Sequence, residues 1–146
     1  MPYHKMTPIE VQGFLGSRPA RPGVLATVRA GGRPHAAPVW YDVDQDGTIV
    51  FSTGETSVKG RNLRREGWAA LCVEDPQPPY SFVLVEGPVT LITELDQLRA
   101  WNGRLGARYM GEERTKEFAD RNGVPGQLLV RLRPEKVTAT ADLADG

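Results

Sequence analysis

Residues 51–66, Phe-Ser-Thr-Gly-Glu-Thr-Ser-Val-Lys-Gly-Arg-Asn-Leu-Arg-Arg-Glu, decide how the chain is read. Ile49, Val50 and Phe51 end an apolar run, Gly54 supplies a turn, and the polar residues beyond it carry helix-start chemistry. Thr56 is the expected N-cap, since a hydroxyl there can accept from an unpaired N–H of the first turn. A helix start leaves free N–H groups and a partial positive charge, here beside the hydroxyls of Ser52, Thr53 and Ser57. Lys59 adds a full charge one turn in, followed by Arg61, Arg64 and Arg65. The combination suits a phosphate group. On composition alone the same stretch reads as a solvated basic helix.

Working outward, short apolar segments alternate with turn signals. Thr7-Pro8-Ile9-Glu10 predicts a capped helix ending near Gly16. Val24–Arg29 and Pro34–Val43 flank Ala30-Gly31-Gly32-Arg33, a hairpin turn, and Asp44-Gln45-Asp46-Gly47 leads into a strand over Thr48–Phe51. These three strands are expected in consecutive antiparallel order. After the basic helix, ending near Gly67, strands are predicted over Trp68–Val73 and Tyr80–Thr93, the second bent or bulged at Glu86-Gly87-Pro88. Helices are predicted from Thr93-Glu94 through about Arg104 and over Gly111–Arg121, and closing strands over Gln127–Arg133 and Lys136–Ala141. Many short strands with few helices between them argue for an antiparallel barrel. No Gly-x-Gly-x-x-Gly follows a strand, and no Gly-Lys-Ser/Thr phosphate loop is present.

Composition excludes more than it identifies. At 146 residues the chain suits one domain, residues 1–146. The 18 basic and 18 acidic residues balance, so nothing points to nucleic acid or a membrane surface. The single cysteine, Cys72, lies in an apolar run and reads as a small buried core residue. With no apolar leader and no spanning segment, a soluble cytoplasmic protein is expected. Two scattered histidines and one cysteine have no metal-ligand spacing, so no metal is expected. The absence of a Gly-x-Ser-x-Gly turn leaves a serine hydrolase unsupported.

Three stretches, in order, carry a family resemblance. They are Val24–Val28 with Gly32–Tyr41, then Ser57–Arg65 with Ala69–Val73, then Pro78–Gly87. Together they resemble the pyridoxamine 5′-phosphate oxidase-like flavin and deazaflavin proteins, nearest the actinobacterial branch that uses coenzyme F420. The resemblance implies a mainly β fold: a split antiparallel barrel with peripheral helices, homodimeric, with cofactor sites at the interface. It implies F420, with FMN as the alternative cofactor, and hydride exchange with a small organic acceptor. A carrier that binds F420 or another ligand without turnover is the reading from a different class.

The resemblance also assigns residues. Lys59 falls where relatives hold the cofactor phosphate, with Arg61, Asn62, Ser52 and Thr53 beside it. Ser57 stands at a position often basic in relatives. Arg61 lies nearly opposite Lys59 on a regular helix, which separates the two. Asn62 and Leu63 share the face of Lys59, and Leu63 reads most simply as core. Pro38, Val39 and Trp40 fall on the strand that carries the tricyclic ring, with 38 and 40 on one face and 39 on the other. Without the resemblance, Trp40 and Tyr41 read as core aromatics. His35 is a ligand contact or a hairpin-edge histidine, and Tyr80 is an aromatic reaching the partner's cofactor or an interface residue. Arg64 and Arg65 would suit the acidic F420 tail. No catalytic side chain is identified.

Overall fold

The computed structural model describes residues 2–145. Its elements are β1 (His4–Lys5), α1 (Pro8–Leu15), β2 (Gly23–Val28), β3 (Pro34–Val39), β4 (Asp42–Val43), β5 (Ile49–Gly54) and α2 (Val58–Glu66). They continue with β6 (Trp68–Asp75), β7 (Ser81–Ile92), α3 (Leu95–Met110), α4 (Thr115–Asn122), β8 (Gln127–Leu132) and β9 (Lys136–Ala141). A 3-10 turn over Glu112–Arg114 joins α3 to α4.

The sheet is antiparallel and runs β3-β2-β6-β7-β8-β5-β4, with β9 between β7 and β1. The long β7 makes it a split barrel. Its first part, Ser81 to Pro88, pairs with β6, and Phe82–Glu86 also pairs with β9. From Val89 it leaves both and pairs with β8. The changeover falls at Gly87-Pro88, where the sequence predicts a bend. The β8–β9 link crosses there, with Arg133 N–H donating to the Pro88 carbonyl (3.0 Å) and Glu135 N–H to that of Glu86 (3.0 Å). A side chain at Gly87 would overlap the carbonyl oxygen of Arg133. Proline gives up only a donor that the changeover does not need.

Residue patterning explains what covers each sheet face. In β2, Gly23, Leu25 and Thr27 point into the barrel while Val24, Ala26 and Val28 face out. In β5 and β8 the alternation fails: Ile49, Val50 and Phe51, and likewise Leu128, Leu129 and Val130, are all sealed. Consecutive burial requires cover on both faces. The barrel interior supplies one, through Leu25, Tyr41, Leu63, Leu71, Val83 and their neighbours. Helix α3 supplies the other, packing Leu98 on Val50 and Leu129 with Ile92 and Trp101 alongside. Each fully buried Leu, Ile or Phe contributes about 1.5–3 kcal/mol. Helix α4 then lies against α3, where Gly103 and Gly106 leave room for Thr115 and Phe118.

The antiparallel barrel stands as expected, and several local expectations change. The cap of α2 is Ser57, not Thr56: Ser57 Oγ accepts from Gly60 N–H, while Thr56 is exposed one residue outside. The strand expected over Pro34–Val43 is split at Trp40-Tyr41 into β3 and β4: β3 pairs with β2, while β4 makes the expected antiparallel hairpin with β5, whose other edge pairs with β8. β3 stops at Val39. The expected cap at Thr93 is replaced by Glu94, which makes no side-chain cap bond, and α3 runs on to Met110. The helix predicted over Gly111–Arg121 is a 3-10 turn followed by α4. Cys72 is half-buried on the outer face of β6, not in the core, because the inward positions there are Ala69, Leu71 and Val73.

Candidate functional site

The carboxyl end of β3, the end of β5, the start of α2 and the α3–α4 hairpin enclose a cleft of about 230 Å³. Pro38, Val39 and Trp40 form one wall, Ser52 and Thr53 the floor, and Lys59 one side. Asn102, Leu105, Phe118 and Asn122 close the other. Because β3 ends at Val39, the strict alternation expected at 38–40 is lost and all three residues border the cleft. Trp40 stacks flat on Tyr109 (centroids 5.0 Å apart, planes 3° apart) and meets Phe118 edge-on at 5.4 Å. The Tyr109 hydroxyl fixes that stack: its one proton is shared between the Arg21 and Tyr41 carbonyls (2.8 and 3.1 Å), and its oxygen accepts from Tyr41 N–H (3.1 Å). Behind it, Tyr41 Oη and Arg108 Nη2 both donate to the carbonyl of Leu15, at the end of α1. Burial pushes the Tyr41 phenol up to about 12 and raises that of Tyr109.

Six of the residues singled out from sequence meet here: Pro38, Val39, Trp40, Ser52, Thr53 and Lys59. Lys59 is the one charged residue of the lining. It has no carboxylate within ion-pair distance among the described residues. The hydroxyls contribute less than their number suggests. Ser57 Oγ donates to the Gly54 carbonyl (2.7 Å), and a carbonyl only accepts, so the 3.1 Å bond to Thr53 carries the threonine's proton. Neither hydroxyl keeps a hydrogen for a phosphate. Ser57 holds the turn and caps α2.

The remaining sequence candidates lie elsewhere. Arg61 points to the far side of α2, into a separate hollow of about 300 Å³ bordered by Arg29, Val58, Asn62 and Arg65. Asn62 is buried and ties α2 to β2, donating to Thr27 Oγ1 (3.0 Å) and accepting from Arg65 (2.9 Å). Leu63 is sealed in the core. His35 lies across from Thr27 on β3, its Nδ1 buried without a partner. Tyr80 is 46% exposed, with a left-handed φ of 68°, away from the cleft of its own chain. Its carbonyl accepts from Leu143 N–H, which pins that conformation.

Sequence reasoning missed the hairpin wall of Asn102, Leu105, Phe118 and Asn122. One signal existed: Asn102 interrupts the helical stripe of Leu98 and Leu105, a polar residue on the face that packs inward. Among the described residues, no group of three His, Cys, Asp or Glu could hold a metal ion, and no helix is long and apolar enough to cross a membrane.

The sheet order and the strand shared between two half-sheets define a split antiparallel β-barrel with peripheral helices. The chain belongs to the pyridoxamine 5′-phosphate oxidase family, whose model matches residues 8–141. A pyridoxine/pyridoxamine 5′-phosphate oxidase from Myxococcus xanthus is 41% identical over an alignment of 90 residues that covers 58% of this chain and 43% of that protein. The match thus spans less than half the length of that curated relative. Among solved structures, a conserved hypothetical protein of Mycobacterium tuberculosis is 27% identical at a TM-score of 0.79, covering 92% of this chain and 84% of that one. A protein titled F420 reductase is 25% identical at a TM-score of 0.67, covering 86% and 94%.

Proposed function

We propose that residues 1–146 form one domain, an oxidoreductase that holds the deazaflavin F420 in this cleft and exchanges a hydride with a small organic acceptor. The observation that carries the reading is the lining itself. A lone, unpaired lysine faces an aromatic and apolar wall with no carboxylate in it, which suits a flat ring bearing an anionic group. The similarity to a protein titled F420 reductase supports the deazaflavin over FMN. So does the arginine hollow on the far side of α2, where Arg29 and Arg61 have no acidic partner among the described residues and suit an acidic tail.

In this reading the chain's own work is placement. Lys59 anchors the phosphate, assisted by the backbone of the α2 start rather than by Ser57 and Thr53. Pro38–Trp40 offer the ring a surface, with Trp40 immobilised by Tyr109 and Phe118. Hydride transfer is the chemistry that the bound coenzyme supplies. Among the described residues the cleft is lined by no carboxylate, imidazole or phenol, so the proton that completes acceptor reduction comes from solvent or from a second copy.

The same reading includes a homodimer. The outward residues Pro38, Val24, Cys72 and Leu84 stand in register across β3, β2, β6 and β7, an apolar band that starts at the cleft's own wall. Val24, Val28 and Trp68 are 47, 42 and 45% exposed, a surface that association would cover. At about 230 Å³ the cleft falls below the ~300 Å³ at which small-molecule sites begin, consistent with a site completed by a partner. The test is titration of F420 and of FMN into the purified chain, followed by turnover of reduced F420 with an acceptor panel. Saturable F420 binding with acceptor-dependent oxidation is expected. Preference for FMN would reassign the cofactor, F420 binding without turnover would make the protein a carrier, and binding of neither would overturn the reading.

A further inference from the structure

Asn102 is 3% exposed and sits in the middle of α3, where a polar side chain needs partners. Its Nδ2 end has three. Its two hydrogens are shared among the carbonyls of Leu98 (2.9 Å) and Asn122 (3.3 Å) and Ser52 Oγ (3.2 Å). Two of these are carbonyl oxygens that cannot donate, so the amide has one possible orientation and its hydrogens are fully used. The Ser52 hydroxyl is directed at Gln127 Oε1, at a long 3.5 Å.

The Oδ1 end is different. No donor among the described residues reaches it. Yet it is not sealed, because the buried side-chain polar atoms without partners are His35 Nδ1 and Arg108 Nε. Asn102 borders the cleft, so a rigidly held acceptor with unused lone pairs opens on the space that Lys59 shares. A cation on one wall and an acceptor-only oxygen on another sort the two ends of a ligand: the anion goes to Lys59, and a donor must meet Asn102.

We propose that Asn102 Oδ1 is a specificity-determining contact that accepts a hydrogen bond from an imide N–H on the rim of a planar ring held against Trp40 and Phe118. The proposal rests on the cleft being a flavin or deazaflavin site. A ring carrying only acceptors or a methyl group at that rim position would face the oxygen without a bond, and the amide cannot turn to offer an N–H instead.

The test compares FMN and F420 with their counterparts methylated at the pyrimidine N3, by equilibrium titration against the wild-type chain, Asn102→Leu and Asn102→Ala. Asn102→Leu extends the Leu98–Leu105 stripe at similar volume, so the helix keeps its packing. In the wild type, methylation should weaken binding roughly 10- to 100-fold, the scale of one lost hydrogen bond to a buried group. In either variant the methylated and parent ligands should bind within about twofold of each other by the same reasoning. A general loosening of the cleft would lower both affinities and leave their ratio at the wild-type value, and that result overturns the proposal. Equal binding of parent and methylated ligand to the wild type also overturns it, without any variant. Failure of both unmethylated ligands to bind the wild type removes the flavin-site reading itself.

Discussion

Replacing Ser57 with alanine separates a structural cap from a ligand contact. The Ser57 hydroxyl accepts from Gly60 N–H at 3.0 Å, donates to the Gly54 carbonyl at 2.7 Å and receives the Thr53 proton at 3.1 Å. Loss of an N-cap hydroxyl costs about 1 kcal/mol, within a range of 0.5–2. Thr53 is only 6% exposed, so its orphaned hydroxyl adds about 1 kcal/mol more. The sum is about 2 kcal/mol, which at a urea slope of about 2 kcal/mol/M moves the unfolding midpoint down by about 1 M. Ser57→Thr keeps both the acceptor and the donor and should stay within about 0.5 kcal/mol of the wild type. Urea unfolding followed by tryptophan fluorescence reads all three proteins. A Ser57→Ala midpoint within about 0.2 M of wild type, paired with a large loss of F420 affinity, would refute the hydrogen-bond assignment and make Ser57 a cofactor ligand.

Lys59→Met should leave stability within about 0.5 kcal/mol, since Lys59 makes no ion pair among the described residues, while weakening F420 binding by about 1.5–3 kcal/mol; unchanged affinity in a titration would remove the anchoring role. The Tyr41 phenol, held up to about 12 against about 10 when unfolded, keeps its full contribution below pH 10 and loses it as pH rises from 10 to 12, on the order of 2–3 kcal/mol. Urea unfolding across that window should show a falling stability that Tyr41→Phe flattens, and an identical slope in the variant would count against the buried phenol. Val24→Glu, in the centre of the exposed apolar band, should convert a dimer to a folded monomer in sedimentation velocity; an unchanged dimer would place the interface elsewhere. Tyr80→Phe should leave single-turnover oxidation of reduced F420 nearly unchanged if the ring only walls a partner's site, whereas a loss of about a hundredfold would make its hydroxyl the proton donor.

Some of this protein could be read from its order of residues. The capping box at Thr7 and Glu10, the left-handed stop at Gly67 and the partner change at Gly87-Pro88 are local, because each depends on a few neighbouring atoms. The inside-out alternation of β2 is equally local, being the pleat itself. The opposed positions of Lys59 and Arg61 followed from helical spacing and reappear as a cleft and a hollow on two sides of α2. What the sequence could not supply was which distant surfaces meet. The pairing of β5 with β8, on the edge away from β4, joins segments more than seventy residues apart, and the burial of β5 on both faces needs α3 as the second cover. The role of Ser57 turned on the direction of one proton, fixed by a carbonyl three residues back in a turn whose shape the fold sets. Asn102 reaches the cleft only because the α3–α4 hairpin folds back over β5, some fifty residues earlier in the chain, and contacts of that range are decided by packing rather than by any local preference.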